Sequence, residues 1–279
     1  MCGILGYAGR REAAGILVEG LSRLEYRGYD SAGLATVAEG RLHVLKLQGR
    51  VEALRRRWKV SPLPGTTGIG HTRWATHGAP SDRNAHPHLD CRGRIAVIHN
   101  GIIENFSSLK DQLRRAGHRF RSETDTEIVA HLLEASYRGS LEKALRAAAR
   151  RLKGQYVLVA VSADEPGVVV GIRQGPPLLV GFGKDGNFLA SGIPAFLPWT
   201  KRFLALEDGE MARLSAGGIS ITDAAGRRVH RAPETADWSL EQSEKEGYPT
   251  FMLKEIHEQP KALLDTLQGR ELGLPPRLL

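Results

Sequence analysis

Cys2 directly follows the initiator methionine, and its possible chemistry depends on that position. Removal of Met1 would place a thiol and a free α-amine on one residue, and the small cysteine side chain permits that removal. An α-amine has an ordinary pKa of about 7.7–8.0, so near physiological pH it can act as a neutral base. A nucleophile with a base on the same residue follows the logic of the N-terminal threonine nucleophiles. The alternative is a small buried residue at the start of a strand.

Three further stretches carry groups suited to holding or polarising a small polar substrate. In Gly70-His71-Thr72-Arg73-Trp74-Ala75-Thr76-His77-Gly78, Arg73 can grip a carboxylate through a planar two-pronged contact. Thr76 and His77 add a hydroxyl and an imidazole. As scaffold alone, the same stretch is a strand and turn, with Trp74 as a core anchor. In His99-Asn100-Gly101, the Asn100 amide and the Gly101 N–H can form a two-donor oxyanion hole, glycine allowing the substrate close to the backbone. Taken by itself, Asn-Gly is the stronger signal of a tight hairpin turn. In Ser122-Glu123-Thr124-Asp125-Thr126-Glu127, Asp125 could accept from a substrate ammonium, or the cluster could cap a helix and match its dipole.

Metal and cofactor signals are weak. His86 and His88, with His71 or His77, could offer imidazoles to zinc, but no cysteine pair or His-Glu helix motif supports such a site. Hydrogen-bonding loop histidines and no metal are expected. Cys91 has no partner nearby in sequence and is expected to be structural. The glycines of Tyr26-Arg27-Gly28-Tyr29-Asp30-Ser31-Ala32-Gly33 do not form a dinucleotide phosphate loop, so no cofactor is expected.

The elements that must position these groups are legible from periodicity. Cys2 to Ala8 predicts a buried strand, and Ala14, Leu17, Val18, Leu21 and Leu24 mark one face of a helix. Ala32–Ala38 and Leu42–Leu47 predict a hairpin turning at Glu39-Gly40. The apolar run Ile95–Ile98 predicts a strand ending at His99-Asn100-Gly101. Helices are predicted over Phe106–Ala116, Thr126–Tyr137 and Leu141–Leu152. Short strands follow over Tyr156–Val161, Val168–Ile172, Leu178–Phe182 and Phe188–Ala190. Strands, then helices, then strands point to α+β layering. From about Ala224 the sequence is polar and weakly patterned, and Leu274-Pro275-Pro276-Arg277-Leu278-Leu279 reads as linker.

The chain has 279 residues, 41% hydrophobic and 25% charged, which excludes disorder and fibrous repeats. No apolar run suits a membrane span, and no secretory signal opens the chain. Two cysteines fit a reducing compartment, and a cytoplasmic location is expected. The net charge of +8 sits in clusters such as Arg55-Arg56-Arg57 and Arg114-Arg115, in or beside amphipathic helical stretches and without any nucleic-acid motif. Nucleic acid is therefore not expected as a partner.

Together these segments resemble the class II glutamine amidotransferases, the family with an N-terminal nucleophile cysteine, over about Cys2 to Ser220. Within it, Leu24-Glu25-Tyr26-Arg27-Gly28-Tyr29-Asp30-Ser31-Ala32-Gly33 is similar to the branch whose glutaminase is joined to a sugar-phosphate isomerase. Glu246-Gly247-Tyr248-Pro249 through Lys254-Glu255-Ile256-His257-Glu258-Gln259-Pro260 resembles the joining segment of that branch. The resemblance implies a four-layer αββα sandwich of the N-terminal nucleophile hydrolase type. It divides the chain into a glutaminase domain over 1–223 and a linker over 224–279 toward an isomerase domain or subunit that takes fructose 6-phosphate. It implies L-glutamine as substrate, Cys2 as nucleophile, and Asn100 and Gly101 as the oxyanion hole. Arg73, Thr76 and His77 would hold the α-carboxylate and Asp125 the α-amine, with Arg27, Trp74 and His86 in support. Gly192 departs from the family, which usually has an aspartate there. A different amidotransferase, or a silent glutamine-binding module, is the competing reading.

Overall fold

The computed structural model describes residues 2–237, Tyr248 and the helix Phe251–Leu267. The chain divides into two compact units, Met1–Asp237 and Trp238–Leu279. The first unit opens with β1 (Gly3–Gly9), α1 (Ala13–Ser22), β2 (Ser31–Ala38), β3 (Arg41–Gln48), α2 (Val51–Val60) and β4 (Thr67–Arg73). Next come β5 (His88–Leu89), β6 (Ile95–Ile103), α3 (Phe106–Arg115), α4 (Glu127–Ser136) and α5 (Leu141–Ala149). It closes with β7 (Gly154–Ser162), β8 (Val169–Gln174), β9 (Leu179–Phe182), β10 (Gly186–Ala190), β11 (Arg202–Ala205), β12 (Met211–Ser215), β13 (Gly218–Thr222) and β14 (Glu234–Thr235). The described part of the second unit is α6 (Phe251–Leu267) and Tyr248. Met1, Glu246, Gly247, Pro249 and the tail Leu274–Leu279, all read from the sequence, lie outside the described residues.

Two antiparallel sheets form the frame. One runs β14-β11-β9-β10-β1-β4-β2-β3, the other β13-β12-β8-β7-β6-β5. Both faces of each central strand are covered, so these strands are near-continuous apolar runs rather than alternating ones. In β7, Val157, Val159 and Val161 point between the sheets, while Tyr156, Leu158 and Ala160 face α3, α4 and α5. In β1, Ile4 and Ala8 point between the sheets, and Leu5 and Tyr7 pack under α1 and α2. Three apolar layers separated by two sheets make the four-layer αββα sandwich, the α+β fold expected from the sequence.

Most predicted elements form close to their expected limits. The β2–β3 hairpin turns at Glu39-Gly40, where both residues have positive φ (52° and 67°), the geometry that favours glycine and fits the twist of the strands. One expectation is corrected. The strand beginning at Ile95 does not end at Asn100-Gly101 but continues to Ile103, with Asn100 opposite Val157 and Gly101 opposite Tyr156. Pairing with the long neighbour β7 overrides the local turn preference of Asn-Gly. Beyond Asp223, β14 pairs with β11, so the sheet takes in residues up to Thr235.

Candidate active site

Cys2 stands at the mouth of β1, a central strand flanked by β10 and β4. The chain beside it is pinned: the Gly3 N–H donates to Thr72 Oγ1 (3.2 Å) and the Ile4 N–H to Ser191 Oγ (3.0 Å). The Trp74 N–H points at the sulfur, 3.2 Å away. Burial pushes the Cys2 thiol above its ordinary value of 9.0, and the Trp74 N–H only partly counters it. At neutral pH the sulfur therefore keeps its proton until a base removes it.

Asn100 comes from the other sheet. Its Nδ2 donates to the Cys2 carbonyl at 3.0 Å, joining Cys2 to β6 across the sandwich. Its Oδ1 faces His71 Nε2 at 3.0 Å. The same nitrogen lies 3.0 Å from the His99 carbonyl and 3.2 Å from His86 Nδ1, so acceptors surround it and the proton is assigned to Nε2. Burial pushes His71 down to about 3, which leaves it a neutral donor at physiological pH. His71 thus fixes the amide so that one Nδ2 proton goes to Cys2 and the other stays available. Gly101 follows with φ 114°, and a Cβ there would come within 2.1 Å of the Gln155 carbonyl oxygen, so only glycine fits.

Arg73 is buried in β4, with Nη2 donating to the carbonyls of His77 (2.5 Å) and Gly78 (2.8 Å). Nη1 is buried without a hydrogen-bond partner, in a 3.9 Å ion pair with the Asp30 carboxylate. A guanidinium N–H held out of water with no hydrogen bond is a strong attractor for a carboxylate. His77 packs edge-on against Phe106. Asp125, also buried, accepts the Ile103 N–H at Oδ2 (3.0 Å), which fixes the carboxylate at the start of α4. Arg27 donates from Nη1 to the Ser191 carbonyl at 2.8 Å. A Cβ on Gly192 would lie 2.9 Å from Arg27 Nη2, so glycine leaves the guanidinium room where the usual family aspartate would meet it.

Cys2, Arg27, Arg73, Trp74, Thr76, His77, His86, Asn100, Gly101 and Asp125 all line one cavity of about 260 Å³. Trp74 is half exposed at its rim, edge-on to Tyr29. The sequence reading missed the support beneath: Thr72, Ser191 and His71, the last named only as a candidate zinc ligand. The period-two geometry of a strand offered one signal, since His71 and Arg73 must share a face of β4. His71, His86 and His88 do pack together, with ring centroids 4.1 and 4.9 Å apart, as hydrogen-bonding histidines. Cys91, without a partner nearby in sequence, meets partners in the fold: His118 Nδ1 and His131 Nδ1 lie 3.7 and 3.5 Å from its sulfur. Those partners come from 27 and 40 residues further along and meet it only in the fold.

A two-sheet sandwich with a cysteine at the mouth of a central strand, facing amide donors from the opposite sheet, defines an amidotransferase domain of the N-terminal nucleophile type. Residues 71–198 match the glutamine amidotransferase domain family. The chain is 54% identical to glutamine–fructose-6-phosphate aminotransferase [isomerizing] of Thermus thermophilus, over 98% of this chain and 46% of that protein. It is 51% identical to the protein of the same name from Pyrococcus horikoshii, over 99% and 46% respectively. The fold also matches glutamine phosphoribosylpyrophosphate amidotransferase from B. subtilis, with TM-score 0.70 and 29% identity over 80% of this chain and 49% of that one. The chain thus carries a stretch of the glutamine amidotransferase domain family and is similar to the glutaminase half of the fructose-6-phosphate branch. It spans about half the length (46%) of the curated relatives it matches.

Proposed function

We propose that this chain hydrolyses the side-chain amide of L-glutamine to glutamate and ammonia at Cys2. Once Met1 is removed, the Cys2 amine takes the thiol proton as sulfur attacks the amide carbon. The resulting oxyanion is met by the free Nδ2 proton of Asn100 and by the Gly101 N–H, a pair whose single members are typically worth roughly 2.7–4 kcal/mol of barrier. The protonated amine then gives its proton to the leaving nitrogen, ammonia departs, and a thioester remains. Water attacks the thioester, the amine takes a proton again, and glutamate leaves with the thiol restored. Arg73 holds the α-carboxylate, with Thr76 and His77 beside it, and Asp125 pairs with the α-ammonium. Arg27 and His86 support the walls, and Trp74 stands at the exit.

The observation that carries this reading is the convergence of three groups on one cavity: the Cys2 sulfur, the Asn100 amide and the Arg73 guanidinium, whose Nη1 has no hydrogen-bond partner. We assign residues 1–223 to the glutaminase domain and 224–279 to a linker, whose short strand β14 (Glu234–Thr235) pairs with β11 at the edge of the domain's sheet. The names of the relatives support transfer of the ammonia to fructose 6-phosphate on an isomerase domain or subunit, yielding glucosamine 6-phosphate. Among the described residues no helix is long and apolar enough to cross a membrane, and both cysteines are free thiols, which supports a cytoplasmic setting. A glutamine analogue bearing an electrophile tests the centre of the proposal. Peptide mass spectrometry should find the label on Cys2, and label on Cys91 alone would refute the assignment.

A further inference from the structure

On the outer side of the β6 sheet, away from the cavity, four lone-pair donors from three segments converge. Cys91 sits in the turn between β5 and β6, His118 in the segment between α3 and α4, and His131 and Glu134 three residues apart on one face of α4. One ligand atom from each lies within 4.8 Å of all the others. The Cys91 sulfur is 3.7 Å from His118 Nδ1 and 3.5 Å from His131 Nδ1. Glu134 Oε2 is 3.0 Å from His118 Nδ1 and 3.5 Å from His131 Nδ1.

These separations are the edges of a coordination tetrahedron. Zinc binds sulfur at about 2.3 Å and imidazole nitrogen at about 2.0–2.1 Å, so tetrahedral geometry sets sulfur and nitrogen roughly 3.5 Å apart. The same geometry sets nitrogen and carboxylate oxygen roughly 3.3 Å apart. We propose that Cys91, His118, His131 and Glu134 form a structural zinc site. A thiolate, two imidazoles and a carboxylate are a donor set that suits zinc, and hard cations such as magnesium or calcium would not choose it. With four protein ligands no position is left open for substrate, so the site is structural and not catalytic.

The surroundings fit ligation. The Arg119 N–H donates to the sulfur at 3.4 Å, and the Cys91 N–H to Glu134 Oε2 at 3.2 Å. His131 is almost fully buried, and its other ring nitrogen, Nε2, faces the Glu127 carboxylate at 3.8 Å. A carboxylate behind a ligating histidine is the usual partner that orients the ring. Glu127 is itself held by the N–H groups of Arg121 (2.7 Å) and Ser122 (2.6 Å). The metal would tie the β5–β6 turn and the α3–α4 segment to α4, the helix whose leading residues place Asp125 in the glutamine cavity.

The test uses the full chain without a histidine tag, carrying Cys2→Ala so that Cys91 is the only thiol. After chelator treatment, zinc addition and desalting, elemental analysis should find one zinc per chain. Cobalt(II) added instead should give tetrahedral d–d bands and a thiolate-to-cobalt charge-transfer band. Cys91→Ala should abolish that band, and Glu134→Gln should weaken zinc at least about tenfold. Zinc should raise the melting midpoint of the parent and leave that of Cys91→Ala unchanged. If Cys91→Ala does not fold, the near-isosteric Cys91→Ser carries the same measurement. Failure of the parent to retain stoichiometric metal overturns the proposal, as does a charge-transfer band that survives loss of the Cys91 sulfur.

Discussion

Arg73 shows how one side chain can be committed and available at once. Nη2 is spent on the His77 and Gly78 carbonyls, which lock the guanidinium in place, while Nη1 stays buried with no hydrogen bond of its own. Lysine would keep the charge but cannot both brace the turn and present a directed N–H. Hydrogen bonds to charged groups contribute roughly 1.5–3 kcal/mol, so Arg73→Lys should lower kcat/KM for glutamine by about 10- to 100-fold. Steady-state glutamate release should show the loss mainly as a raised KM, and an unchanged KM would remove Arg73 from substrate binding. Gly101 makes a different demand. With φ at 114° and the Gln155 carbonyl oxygen 2.1 Å from any added Cβ, Gly101→Ala must shift β6 against β7. Positive-φ strain alone costs about 1–3 kcal/mol. Denaturant unfolding should register at least that loss, and kcat should fall with it because Asn100 is the preceding residue. A variant of wild-type stability and rate would contradict both roles.

At the scale of elements, β4, β6 and the loop before β5 meet through histidines. His71 and His99 lie on facing strands, and His86 packs on His71 with ring centroids 4.1 Å apart. Burial is the main reason that all three are pushed below the ordinary value of 6.5, His71 to about 3. The folded protein therefore refuses protons that the unfolded chain accepts. The contribution of His71 is fully present above about pH 6.5 and is lost as the pH falls from there toward 3, and His86 and His99 act in the same direction. His71 can change the folding equilibrium by up to about tenfold per pH unit across that window. Unfolding free energy measured between pH 4.5 and 7.5 should fall steeply on the acid side, and His71→Gln should flatten the slope. An equally steep profile in that variant would assign the acid sensitivity elsewhere.

The same elements mark what sequence could and could not reveal. The β2–β3 hairpin was legible because Glu39-Gly40 interrupts two strand-like runs. The extension of β6 through Asn100-Gly101 was not, because the apolar pattern stops at Ile98 and only pairing with β7 carries the strand onward. Cys2, Arg73, Asn100 and Asp125 were legible as chemical groups. His71 beneath them was read only as a candidate zinc ligand, since a buried histidine reveals its role only through the amide it holds. The Cys91 cluster joins the β5–β6 turn to residues on and before α4, a proximity that no local spacing announces.

The whole molecule enters the chemistry because the site straddles the sandwich. Cys2 belongs to one sheet and Asn100 to the other, and one hydrogen bond of 3.0 Å links them. Their alignment therefore depends on the apolar layer between the sheets, to which Ile4, Ile69, Ile98 and Val159 belong. The layer under α1 and α2, to which Leu17 and Leu21 belong, backs only one sheet. Ile69 and Leu17 are both fully buried, so Ile69→Ala and Leu17→Ala should each cost about 2–5 kcal/mol of stability. Their effects on catalysis should part. A cavity at Ile69 lets the sheets shift against each other, and a misplacement of about 1 Å can cost on the order of 100-fold in rate. A cavity at Leu17 leaves the gap between Cys2 and Asn100 unchanged. Under conditions where both variants are fully folded, Ile69→Ala should turn over glutamine markedly more slowly while Leu17→Ala stays near the wild-type kcat. Equal rates in the two would mean that the position of Asn100 against Cys2 is set by β6 alone and not by the packing of sheet on sheet.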